Sequence, residues 1–87
     1  MPKAILGSRR STMEIVQDIL SVCDNGGAKK TAIMYQSSLS YDQLRRYLAL
    51  LSEQDLIHKN QEGRYQVTSA GQKTLRQMSS VIRSLRD

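Results

Sequence analysis

Three serines govern where this chain can start a helix. Ser11, Ser40 and Ser69 each stand three residues ahead of a glutamate or glutamine, namely Glu14, Gln43 and Gln72. At that spacing the hydroxyl accepts from a free N–H of the first turn while the longer side chain reaches back to the cap. Each box is followed by apolar residues at helical intervals. Met13, Ile15, Val16, Ile19, Leu20, Val22 and Cys23 follow the first, Leu44, Tyr47, Leu48 and Leu51 the second, and Leu75, Met78, Ile82 and Leu85 the third. The spacing predicts helix 1, helix 3 and helix 4, and leaves shorter elements to fill the intervals.

Those intervals are punctuated clearly. Asn25, Gly26 and Gly27 in "DNGG" supply the backbone freedom that closes helix 1. "KKTAIMYQ", residues 29–36, predicts a short helix 2 with Ala32, Ile33 and Tyr35 turned inward, and "SSLS" after it reads as a tight turn. Beyond helix 3, Leu56–Lys59 and Arg64–Thr68 are β-inclined runs, and the "NQEG" between them places Gly63 where a hairpin needs a positive φ. "MPKAILGSRR", residues 1–10, reads as a basic arm whose Lys3, Arg9 and Arg10 reach outward. The expected division is an arm at 1–10, a head at 11–68 and a terminal helix at 69–87.

A chain of 87 residues supplies one small domain, and its 39% hydrophobic content includes four Tyr but no Trp or Phe. Aliphatic side chains must therefore carry the core, and contact with a second copy would supplement it. Helix 4 offers the surface. Its seam of Leu75, Met78, Ile82 and Leu85 either packs back on helix 1 or pairs with another helix 4, and pairing is preferred because so short a helix gains little alone. The seam leaves parallel and antiparallel pairing open.

A net charge of +5 favours a polyanionic partner. The single cysteine, Cys23, excludes an internal disulfide, and no apolar run marks a signal or membrane span, so a soluble cytoplasmic protein is expected. His58 and Cys23 are too few ligands for a metal site. No nucleophile, base and orienting group fall into a catalytic arrangement, and no cofactor-binding loop is recognisable, so the chain reads as a non-enzyme.

Three helices followed by a hairpin is the element order of a winged helix-turn-helix, a mostly α fold in which helix 3 enters the DNA major groove and the wing touches adjacent backbone or minor groove. On helix 3 the candidate DNA contacts are Ser40, Tyr41, Gln43, Arg45 and Arg46. The two guanidiniums can pair with guanine O6 and N7 or with phosphate, while the small Ala49 lets the helix approach closely. Lys29, Lys30 and Thr31 open helix 2 and suit a phosphate. In the wing, Lys59, Asn60 and Arg64 bracket the turn, and Glu62 is expected to point away.

Residues 29–75 also carry a resemblance. "KT.IMY", "LSY", "L..YL..L", the Gly-tipped wing and "Y.VT..G...L" together are similar to the small archaeal winged-helix DNA-binding proteins that dimerise through a C-terminal antiparallel coiled coil. The resemblance implies a homodimer with two heads on a paired helix 4, binding double-stranded DNA as a nucleoid-associated chromatin protein or a transcription regulator. One departure stands out: Asp55 in "SEQDLI" falls where such sequences commonly place Gly. The rival reading is an interaction module that recruits another subunit through helix 4. An RNA binder ranks last, because Tyr41 is the only candidate aromatic platform.

Overall fold

The computed structural model describes residues 10–86, apart from the side chains of Ile82 and Arg86, so the arm residues Lys3 and Arg9 and the Ile82 seam position lie outside it. Helix α1 spans Thr12–Cys23, α2 Lys30–Gln36 and α3 Tyr41–Glu53. Strands β1 (Ile57–Lys59) and β2 (Tyr65–Val67) follow, and α4 closes the order at Ser69–Arg86.

Two of the three capping boxes form as the spacing predicts. Ser11 Oγ accepts from Glu14 N and Ser40 Oγ from Gln43 N, at 3.1 and 3.2 Å, and each partner side chain returns to the cap N–H. The third does not. Thr68, one residue earlier, takes the role at α4: its hydroxyl accepts from Gly71 N at 2.9 Å and donates to the Asp55 carbonyl at 2.7 Å. This ties the helix start to the end of α3, a tertiary contact that a box at Ser69 would lack. Gln72, freed from the box, donates at 3.3 Å to Oδ1 of Asp24, the residue that caps the end of α1.

The core is aliphatic. Ile19, Leu20 and Cys23 from α1, Ile33 from α2, Leu44 and Leu51 from α3 and Ile57 from β1 are essentially fully buried. Each such side chain contributes about 1.5–3 kcal/mol relative to an exposed one. The predicted faces of α1 and α3 hold except at Met13, which is exposed in the first turn of α1, whereas Tyr35 is a correction: it stands 79% exposed, because a two-turn helix has room inward for Ile33 and partly for Ala32 and Met34 only.

Two turns orient α3. Between α2 and α3, Ser38 adopts a left-handed backbone (φ +55°), while Ser37 N bonds back to Ile33 O and Leu39 N to Met34 O. After α3, Asp55 N bonds to Ser52 O at 3.0 Å and Leu56 N to Leu51 O at 2.9 Å, with Asp55 at φ +60°. That pair of bonds is a Schellman closure, and Asp55 occupies the left-handed position usually filled by Gly.

The hairpin pairs antiparallel with Ile57 opposite Val67, His58 opposite Gln66 and Lys59 opposite Tyr65. A third segment joins it. Ala28 exchanges both backbone hydrogen bonds with Tyr65, at 3.0 and 2.8 Å, fastening the loop before α2 to the wing. This approach explains Gly27 better than helix closure alone does. A Cβ there would lie 2.8 Å from Gln66 Cγ and 3.2 Å from Tyr65 O, so only glycine lets the two backbones meet.

Helix α4 lies along α1 in the opposite direction, since Gln17 donates to Ser79 at 2.9 Å and Gln72 to Asp24 at 3.3 Å. Leu75 and Met78 are half-buried against the chain's own core. In its first half the seam thus packs back on the chain's own core, one of the two arrangements its spacing allows. Farther along, Val81 and Leu85 remain 45% and 77% exposed.

Candidate nucleic-acid interface

Helix α3 buries Leu44, Leu48 and Leu51, and turns Asp42, Arg45, Arg46, Ala49 and Glu53 to solvent. A rotation of roughly 100° per residue sets Ala49 near the middle of the exposed face with Arg45 and Arg46 on either side of it. The two arginines therefore flank a shallow strip. Arg45 Nη2 lies 3.7 Å from Asp42 Oδ1, a loose pair with both side chains more than two-thirds exposed. Tyr41, at the leading end, is 58% exposed. Ser40 and Gln43 also sit at that end, but their side chains are engaged in the capping box, so their primary task is to fix where α3 begins.

A cationic feature stands beside this helix: a cleft of about 370 Å³ between the start of α2 and the wing, lined by Lys29, Lys30, Thr31, Lys59, Glu62, Gly63 and Tyr65. The Ala28–Tyr65 backbone pairing holds its two walls together. Sequence reasoning named the cations of each wall separately, and the bridge brings them to one place. Lys59 Nζ stands 6.0 Å from the centre of the Tyr65 ring, an orientation that restrains the ammonium over the aromatic face.

Two wing residues shape and flank the hairpin turn. Asn60 Oδ1 accepts from Glu62 N at 2.9 Å and Arg64 N at 3.0 Å, which makes Asn60 the builder of the turn that Gly63 completes at φ +82°. Glu62 is largely exposed at the edge of the cleft and lies 3.8 Å from Arg64 Nε.

Arg10 is the residue whose role sequence reasoning missed. Far from reaching outward, its guanidinium pairs with Asp18 on α1 at 2.5 Å and donates to the carbonyls of Ser37 and Ser38 at 2.6 and 3.2 Å. It thus clamps the turn that launches α3. No local motif announces this, because its partners lie 8, 27 and 28 residues away.

Burial raises the Cys23 thiol to about 11, which keeps it protonated and chemically quiet near neutral pH. His58 projects from β1 into solvent, as expected of a wing residue. Among the described residues, no helix is long and apolar enough to cross a membrane.

Comparison with known proteins supplies the wider setting. A solved structure, Sso10a-2, a DNA-binding protein from Sulfolobus solfataricus, superposes with a TM-score of 0.79 at 26% identity, covering 88% of this chain and 83% of that one. Two uncharacterized proteins of Methanocaldococcus jannaschii are each 32% identical, over 86% and 75% of this chain; the chain spans 35% and 66% of their respective lengths. The model of the winged helix-turn-helix family matches residues 9–86. With helices, turn and wing in that family's order and nearly its whole length matched, the chain belongs to the winged helix-turn-helix family.

Proposed function

We propose that this chain binds double-stranded DNA as a homodimer, inserting α3 into the major groove and setting the wing and the lysine cleft against the flanking phosphates. The observation that carries the reading is the pairing, on one small fold, of two exposed guanidiniums, Arg45 and Arg46 astride Ala49 on α3, with a cationic cleft lined by Lys29, Lys30 and Lys59. The similarity to a DNA-binding protein of the same fold supports it, as does the net charge of +5. Lysines near phosphate provide affinity without sequence information, whereas guanidinium forks in the groove can read guanine.

The homodimer reading rests on α4. Its first half is occupied by the chain's own core, and its second half leaves Val81 and Leu85 exposed on a helix that gains from a second copy. A regulator and a nucleoid-associated chromatin protein can share this arrangement; they differ in whether α3 reads bases. A module that recruits a different subunit through Val81 and Leu85 is the second reading, favoured by the same exposed end of α4.

The test is a titration of the full chain against random duplexes at two salt concentrations, with the oligomeric state recorded. DNA binding by phosphate neutralisation predicts a log–log salt slope of about −0.9 per contact. Arg46→Ala should lose about 1–3 kcal/mol if the arginine reads a base. A monomer that ignores duplex DNA at physiological salt supports the recruiting module instead.

A further inference from the structure

The exposed face of α3 is not a cationic face. Arg45 and Arg46 are matched there by Asp42 and Glu53, all four exposed, so the helix assigned to the groove carries no net charge. Unbalanced cations lie elsewhere: in the cleft, where Lys29, Lys30 and Lys59 accompany the carboxylate of Glu62, and along α4, where Lys73, Arg76 and Arg83 are exposed with no acid on the helix. A helix that served only to adhere to phosphate would gain from removing its acids. Asp42 is the more consequential of the two, because it stands in the first turn, the part of a recognition helix that meets base edges.

We propose that Asp42 is a specificity-determining residue that selects a cytosine amino group in the major groove, making α3 a sequence reader; the inference rests on the DNA-binding reading above. A carboxylate only accepts hydrogen bonds, and the major groove offers only two donors to it, cytosine N4 and adenine N6. Adenine N6 is flanked on its own base by the N7 acceptor, whose lone pair opposes a carboxylate, so cytosine is the better match. Over guanine or thymine the charge is stripped of water between two rows of phosphates with no donor to meet it, which is strongly unfavourable. Asp42 thus works by rejection as much as by attraction.

The neighbouring groups fit the same reading. Arg45 lies 3.7 Å from Asp42 and can hold one carboxylate oxygen while the other meets the base. Arg46 is four residues on, roughly 6 Å along the axis, and so falls within two base-pair rises of about 3.4 Å. An acceptor and a guanine-reading fork at that separation describe a short G·C-containing element. A purely structural role for Asp42 also exists, since an acid in the first turn complements the helix dipole. The two roles respond differently to Asn, which keeps size and shape but presents the donor–acceptor pair that matches adenine N6 and N7.

The experiment is selection from a random duplex pool with the full chain, the Asp42→Asn chain and the Asp42→Ala chain, each with its thermal transition measured. The expected result is a fixed cytosine in the parent's selected sites, changed at that one position to adenine by Asp42→Asn. A matching pair should discriminate roughly tenfold or more against other bases. Asp42→Ala should lose the preference at that position and bind the unselected pool more tightly, with the salt slope unchanged. Identical selected sites for parent and Asp42→Asn overturn the proposal, as does parent binding without any enrichment, which leaves the DNA-binding function standing. A parent that binds no duplex overturns both.

Discussion

Arg10→Ala is the most informative single change. The guanidinium joins two segments: α1 through Asp18 at 2.5 Å, and the turn before α3 through the carbonyls of Ser37 at 2.6 Å and Ser38 at 3.2 Å. Its side chain is only 22% exposed, against 42% for Asp18. A hydrogen bond to a charged group is worth about 1.5–3 kcal/mol, and the short, part-buried bond to Ser37 O belongs in that range. The Asp18 pair is discounted to about 1 kcal/mol because one partner is well solvated. The longer bond to Ser38 adds little. The expected loss is therefore about 2.5–4 kcal/mol, which for a domain of this size lowers Tm by roughly 10–30 °C. Circular dichroism melts and urea titrations at fixed protein concentration measure it. Arg10→Lys should retain part of the stability, because one ammonium cannot span both partners as a planar fork does. The Arg10→Ala, Asp18→Ala cycle should return a coupling of about 1 kcal/mol. A loss below about 0.5 kcal/mol, ordinary for an exposed position, would refute the clamp.

Other expectations follow from packing, assembly and titration. A Cβ at Gly71 would lie 2.1 Å from Leu56 O and 2.6 Å from Val67 Cγ1, so Gly71→Ala should push α4 off the wing and destabilise by more than about 2 kcal/mol, visible in the same melts. If a second copy covers the exposed end of α4, Val81→Glu with Leu85→Glu should yield monomers in sedimentation while the head keeps its helical spectrum; an unchanged sedimentation coefficient removes this surface from the interface. Because burial raises the Cys23 thiol from 9.0 to about 11, the folded chain holds that proton more tightly than the unfolded one. Its contribution is complete below pH 9.0 and is lost as pH rises toward about 11, so urea midpoints should fall across that window and Cys23→Ala should flatten the fall.

What was legible in the sequence was local. The boxes at Ser11 and Ser40, the aliphatic faces of α1 and α3, and the Gly63 turn are written within a few residues of the features they specify. Each therefore resolves to the expected element. The exposed arginines of α3 were equally legible, because burying Leu44, Leu48 and Leu51 leaves Arg45 and Arg46 outward by helical rotation alone. Tertiary structure decided the rest. Thr68 rather than Ser69 caps α4 because its hydroxyl finds the Asp55 carbonyl thirteen residues away. The lysines of α2 and the wing share one cleft because Ala28 pairs with Tyr65, and Gly27 permits it. Arg10 turns inward because a carboxylate and two carbonyls from distant segments converge on it. The physical reason is common to all three: a helix pattern is set by neighbours within a turn or two, whereas these contacts exist only once the chain has closed its long loops and brought remote backbone groups together.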